Sequence, residues 1–270
     1  VLKLQILFKP RNLWLSLRPK VKHLRKIKVA AVNYLNTKPL LYGFRNHEVS
    51  KQIELVEAYP AQVAEWLIND EVDVALVPVA VIPKLKEHHI ISEYGIGCEG
   101  AVASVCLFSE VPIEQVEKVY LDYQSRTSVQ LAKVLLKEYW KSKAELIEAP
   151  GETYRNEIKG TTAGLVIGDR ALQQRLKSKY IYDLGEAWEA YTGLPFLFAA
   201  WVSNKSLPIE FIRAFNEANA IGLLNIDTVV AENPYDVYDL KTYYTENISY
   251  TLDLPKKQAL QLFLSKLTAQ

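Results

Sequence analysis

From Ile27 onward, short β-branched runs alternate with stretches of helical period, and this alternation constrains the fold more than any other feature of the 270-residue chain. Ile27–Val32 reads as a strand, followed by a turn and a short helix that Pro39 suits, because proline fits a first helical turn. Residues 53–57 read as a second strand and residues 60–69 as a helix with Val63, Trp66 and Leu67 on one face. Residues 73–77 form a compact strand pattern ended by Pro78. A β-α-β-α-β order of this kind predicts a mainly parallel sheet covered on both faces.

Between residues 90 and 109 the rhythm changes. Residues 101–109 are a long apolar run with no helix after it, and Val111-Pro112 closes it. A second series then runs through a strand at 119–122, a helix at 127–140, and strands at 145–148 and 164–167. Residues 196–202 form another long strand-like run, and helical patterns follow near 208–224 and 256–267. Two βα series joined by two long apolar runs predict an α/β chain of two lobes with paired crossovers. Lobe one is expected from residues 27–108 and 203–270 and lobe two from 109–202, with the ligand in the cleft between them. A single continuous doubly wound sheet is the alternative.

Charge and composition narrow the function. Residues 1–28 carry nine Lys or Arg and no acid, so the remaining 23 basic residues face all 31 acidic ones, a net of −8. That remainder gives no reason to expect nucleic acid, which needs clustered positive charge. No stretch approaches the ~20 apolar residues of a membrane-spanning helix, so stable membrane insertion is not expected. Residues 1–26 read as a basic N-terminal extension, with an organelle-targeting segment or a membrane-surface helix as the alternatives. Cys98 and Cys106 match no zinc spacing and are too few for a disulfide framework, which suits a reducing cytoplasm. Oligomeric state is left open.

The common catalytic signatures are missing. The histidines are His23, His47, His88 and His89, none in a metal-spaced or triad-like setting, and His88-His89 reads as a solvated helix end. There is no phosphate loop, dinucleotide fingerprint or HExxH helix, and no metal or organic cofactor is expected. What stands out instead is five polar islands. Asn36 and Thr37 follow the first strand and either cap a helix or reach a ligand oxygen. Gly95, Gly97 and Gly100 precede Ser104, which sits within an apolar run. Ser125, Arg126, Thr127 and Ser128 open a helix, where free amides, small hydroxyls and a guanidinium suit a carboxylate, or simply cap the helix. Gly168-Asp169-Arg170 forms another strand-to-helix turn, and residues 192–196 (TGLPF) lead into the long return run.

In order and spacing, residues 33–40 (NYLNTKPL), 73–79 (DVALVPV), 96–109 (IGCEGAVASVCLFS), 125–132 (SRTSVQLA), 166–172 (VIGDRAL) and 192–201 (TGLPFLFAAW) resemble the signature of chorismate dehydratases of menaquinone biosynthesis. The resemblance runs from about residue 27 to 260. It implies a two-lobed fold like that of type II periplasmic binding proteins, and dehydration of chorismate to 3-[(1-carboxyvinyl)oxy]benzoate without a cofactor. It further implies that Asn36 and Ser104 are catalytic, with Thr37, Gly100, Ser125, Arg126, Thr127, Ser128 and Asp169 around the substrate. Asp169 or Glu99 acting as a protein base is the rival to proton removal by the substrate's own carboxylate. Three other functions share the fold: the sister enzyme forming 1,4-dihydroxy-6-naphthoate, a solute-binding protein, and a transcriptional effector domain.

Overall fold

A computed structural model describes residues 25–268, and most of the basic extension expected at 1–26 lies outside the described residues. Strand β1 is Ile27–Val32, followed by helix α1 (Lys38–Arg45) with Pro39 in its first turn. Strand β2 (Ile53–Ala58), helix α2 (Pro60–Ile68) and strand β3 (Val74–Pro78) complete the first unit. Strands β1 and β2 pair in parallel, as do β1 and β3. These strands are short and rich in Val, Ile and Ala, which suits a sheet buried on both faces.

Strand β4 is His89–Cys98. His89 therefore begins a strand and does not end a helix: it pairs with Ser203 of the return strand, and its side chain is exposed. The chain then enters a second sheet through β5 (Val105–Ser109), β6 (Lys118–Leu121), helix α3 (Thr127–Val134) and β7 (Glu145–Glu148). Strand β8 (Thr162–Ile167), helix α4 (Asp169–Arg175), strand β9 (Tyr180–Asp183) and helix α5 (Leu184–Thr192) finish that lobe. The chain returns through β10 (Phe196–Ser203), helix α6 (Ile209–Leu223) and β11 (Ser249–Thr251) to a C-terminal helix, Leu254–Thr268.

The sheet orders are β11-β4-β10-β3-β1-β2 and β7-β6-β8-β5-β9. This moves both expected lobe boundaries. Residues 105–108, assigned to lobe one, pair with β8 and β9 of lobe two, whereas residues 196–202, assigned to lobe two, pair with β3 and β4 of lobe one. An apolar run announces burial on both faces but does not say in which sheet. The crossing is made by the segment 99–104 before β5, where Gly100 and Ala103 take positive φ of 78° and 63°, and by the turn after α5.

Lobe one holds its first turn in place through backbone contact between helices. A Cβ on Gly43 of α1 would lie 1.7 Å from the Ala218 carbonyl oxygen of α6, and one on Gly222 would lie 1.7 Å from that of Pro39. Phe44, Trp201 and Phe215 interlock beside this contact, with ring centroids 4.6–5.4 Å apart. The end of β1 and the start of α1, where Asn36 and Thr37 sit, are therefore carried on a rigid support.

Candidate active site

Between the sheets lies a cleft with about 550 Å³ of empty space, part of it open to solvent. Its lobe-one wall is built mainly from strand ends: Val32 of β1, Leu76 and Pro78 of β3, Ile96 of β4 and Phe198 of β10. Asn36 and Thr37 project from the turn after β1. The lobe-two wall carries Ser104 before β5, Ser125, Thr127 and Ser128 at the start of α3, and Gly168 after β8. The structure thus brings six of the nine expected side chains or glycines to one cleft, and none of the residues lining it is charged.

The hydrogen bonds give the cleft a direction. The Thr37 hydroxyl donates to Asn36 Oδ1 at 3.2 Å, which turns the Asn36 amide hydrogens outward. Tyr243 donates to Ser104 Oγ at 2.7 Å. The Ser128 amide donates to Ser125 Oγ at 3.0 Å, and the Ala80 amide donates to Thr127 Oγ1 at 3.2 Å. Among the described residues no protein acceptor takes the hydroxyl protons of Ser104, Ser125 or Thr127. Each hydroxyl has one proton and two lone pairs, so occupied lone pairs leave a donor for the cleft. The start of α3 adds the partial positive charge of a helix N-terminus. Ser125 therefore both caps the helix start and lines the cleft, while neither Asn36 nor Thr37 caps α1 by its side chain.

Three expected residues stand elsewhere. Arg126 turns away from the cleft: its half-exposed guanidinium lies 3.8 Å from Glu65 and borders a separate groove with Lys84 and Lys133. Adjacent residues at a helix start diverge by about 100°, so the arginine leaves the helix on a different side from Ser125 and Thr127. Gly100 shapes the crossover without lining the cleft. Asp169 accepts the Leu35 amide at 3.0 Å, a tie between the lobes, and burial pushes its carboxyl above the usual range against the opposing effect of that hydrogen bond. Glu99 is held by Lys256 at 2.6 Å and by Ser249 at 2.9 Å, outside the cleft, and the lysine bond holds its carboxyl low. Neither acid is a free base beside the ligand space. The island at 192–196 is structural, with Thr192 bonded to the Trp188 carbonyl and Gly193 ending α5 at φ 71°.

Residues that the motifs did not single out hold the site together. Tyr34 crosses from lobe one to bond Gln124 of lobe two, and its ring lies so close to Gly168 that a Cβ there would meet ring carbons at 2.8 Å. Gly168 also has φ 63°, so both its conformation and its neighbour demand glycine. Asp183 accepts the amides of Val102 at 3.0 Å and Ala103 at 2.8 Å, pinning the positive-φ Ala103 directly before Ser104. Its burial drives its carboxyl upward, against four backbone amide bonds. A short polar side chain at a strand end was the only signal for Asp183; Tyr34 stood within the first polar island without a role of its own, and Tyr243 carried no signal, because tyrosine is common in cores.

Known proteins place the chain in a family and a fold. The chain matches the menaquinone biosynthesis family over residues 27–269. The chorismate dehydratase of Thermus thermophilus is 27% identical over 262 residues, spanning 87% of this chain and 92% of that one. The chorismate dehydratase of Campylobacter jejuni is 26% identical over 236 residues, spanning 86% and 89%. A crystal structure of an Archaeoglobus fulgidus protein superposes with a TM-score of 0.73 at 18% identity, over 92% of this chain and 98% of that one. A Candida albicans protein described as having the generic periplasmic binding protein fold superposes with a TM-score of 0.57 at 15% identity, over 89% and 90%. The fold is that of the periplasmic binding proteins, and the chain belongs to the menaquinone biosynthesis family.

Proposed function

We propose that this chain is a carbon–oxygen lyase that dehydrates chorismate to 3-[(1-carboxyvinyl)oxy]benzoate for menaquinone biosynthesis. The observation that carries the reading is the cleft's polarity. An uncharged pocket with an apolar wall and a facing row of hydrogen-bond donors suits a flat ring bearing carboxylates and a departing hydroxyl, all of them acceptors. Two relatives at 27% and 26% identity bear the dehydratase name, which supports the same substrate.

The chemistry asks little of the protein. The C3–H of chorismate is vinylogous to the ring carboxylate, and expulsion of the C4 hydroxyl makes the ring aromatic. The C3 proton and the C4 hydroxide leave together as water, and the C3–H electron pair enters the ring. A base is still required, and no histidine or acid lines the cleft. In this reading the enolpyruvyl carboxylate of the substrate takes the proton and passes it to the departing hydroxide. Asn36 and Ser104 orient that carboxylate and the departing hydroxyl, and Thr37 holds the Asn36 amide in its donating orientation. Ser125, Thr127 and Ser128 bind the other carboxylate through hydrogen bonds that the anion's charge strengthens. Good positioning supplies ~7–11 kcal/mol of a barrier, which suits a site with no base of its own. Free, buried Cys98 and Cys106 favour work in a reducing cytoplasm.

The test is direct. The pure chain is incubated with chorismate and the product identified by mass and ultraviolet spectrum. Loss of 18 mass units (one water) with a benzoate-type spectrum is expected; unchanged chorismate would sink the proposal.

A further inference from the structure

We infer that Tyr243 is a positioning residue that sets the hydrogen-bond direction of Ser104: by donating to Ser104 Oγ, it leaves the serine's own proton to be given to the ligand. The kinetic consequence rests on the dehydratase reading, whereas the bond is a property of the free chain.

Ser104 has few freedoms left. Its amide donates to the Val102 carbonyl at 2.8 Å, and its carbonyl accepts the Gly168 amide at 2.8 Å. Its hydroxyl has one protein partner among the described residues, the Tyr243 hydroxyl at 2.7 Å, and both side chains are fully buried. Of the two hydroxyls the phenol of Tyr243 is the stronger donor and the serine oxygen the better acceptor, so the bond runs from Tyr243 to Ser104; burial, which pushes the Tyr243 hydroxyl well above its ordinary range, keeps that proton in place. Once it does, the Ser104 proton cannot point at Tyr243. The remaining open side of Ser104 is the cleft. Ser104 is thereby a donor, matched to a leaving hydroxide or a carboxylate, and not the base.

Tyr243 opens a π-helical turn, Tyr243–Asn247, which carries the chain toward β11. From that strand Tyr250 donates to the Asn36 carbonyl at 2.9 Å, so one C-terminal segment supports both proposed catalytic residues. The adjacent Tyr244 supplies an internal control. Its ring lies 5.7 Å from that of Tyr243, and its buried hydroxyl has no partner among the described residues.

The experiment compares Tyr243→Phe, Ser104→Ala, the double variant and Tyr244→Phe. Tyr243→Phe is expected to lower kcat about 10- to 100-fold through lost orientation, with KM within about twofold. In the Ser104→Ala background the same substitution should change nothing further, since the group it directs is gone. Tyr244→Phe should stay within about twofold of wild type. Independent losses that multiply, or an equal loss in Tyr244→Phe, would assign the effect to packing and overturn the inference. A second measurement needs neither substrate nor activity. With Cζ-labelled tyrosine, the nuclear magnetic resonance signal of Tyr243 should move in Ser104→Ala while that of Tyr250 stays. An unmoved Tyr243 signal refutes the bond. A wild type inert toward chorismate refutes the dehydratase reading, and the spectrum alone then decides the role of Tyr243.

Discussion

The wall that lobe one lends to the cleft and the wall that lobe two lends arise from similar strand-to-helix turns, yet they present different chemistry. On the lobe-one side Val32, Leu76, Pro78, Ile96 and Phe198 come from strands buried on both faces, so their side chains are apolar. On the other side Ser104, Ser125, Thr127 and Ser128 come from a crossover and a helix start, where unpaired amides favour small hydroxyls. The lobe-one strands suit the face of a ring, and the hydroxyls of lobe two, with Asn36 and Thr37 on the turn after β1, suit its oxygens. The two walls are tied to each other by Tyr34 on Gln124 and by Leu35 on Asp169. The buried carboxylates differ in the same way. Asp73 of lobe one is paired with Lys205, Arg25 and the Lys28 amide, which together outweigh burial and hold it low. Asp183 of lobe two is held by backbone amides and the Cys106 thiol rather than by an ion pair, and burial wins.

If lobe two and the turn after β1 direct the chemistry, the largest losses should come from there. Ser104→Ala and Asn36→Ala are expected to lower kcat by about 100-fold, because a substrate acting on itself depends on orientation. Asp169→Asn and Glu99→Gln should retain most turnover in the same steady-state assay. One acid substitution that abolishes turnover while binding survives would restore a protein base and break the contrast.

If lobe one recognises the ring, Phe198→Leu should raise KM by roughly tenfold with little change in kcat, since the lost apolar contact is worth ~1–1.5 kcal/mol. A kcat effect without a KM effect would instead give the apolar wall a part in orientation.

The carboxylates sharpen the comparison through pH. Asp73 is depressed, so its contribution to stability is present above its ordinary value of 3.8 and is lost as pH falls through its lower folded value. Asp183 is raised, so its contribution is present below 3.8 and is lost as pH rises through its higher folded value. Urea midpoints followed from about pH 3 to pH 6 should therefore lose part of their acid fall in Asp73→Asn and part of their opposing fall in Asp183→Asn. Identical pH slopes in the two variants would show that the lobes do not differ in this respect.

The smallest expected effect concerns Arg126. Its side chain is 50% exposed and its contact with Glu65 is 3.8 Å, so Arg126→Ala should change KM less than about twofold, as surface ion pairs contribute ~0–1 kcal/mol. A tenfold rise in KM would mean that the guanidinium swings into the cleft when substrate arrives.

Much of lobe one was legible in the sequence. Ile27–Val32 forms the strand its pattern indicates, and the helices after it begin at Pro39 and Pro60 or one residue earlier, because period and proline act locally. The helix expected at 127–140 begins on its first residue but loosens into a π-helical turn at Leu135–Tyr139, a hydrogen-bond shift that composition does not record. Within the site, small hydroxyls beside strand ends were readable because such turns recur at ligand clefts. Arg126 was not, because charge says nothing about which side of a helix start faces the cleft.

The sequence by itself determined the alternation of strands and helices, the turns that could meet a ligand, and a family signature carried by six short segments. Those features depend on neighbours a few residues apart. Only the tertiary structure decided which sheet each long apolar run joins, that Arg126 leaves the cleft, that Asp169 ties the lobes, and that Tyr243 and Asp183 hold Ser104. Each of those depends on contacts between residues 56–139 positions apart or on the direction a side chain takes from its helix. No local pattern encodes such pairings, since a tyrosine that directs a catalytic hydroxyl and one that fills a core are the same letter in the chain.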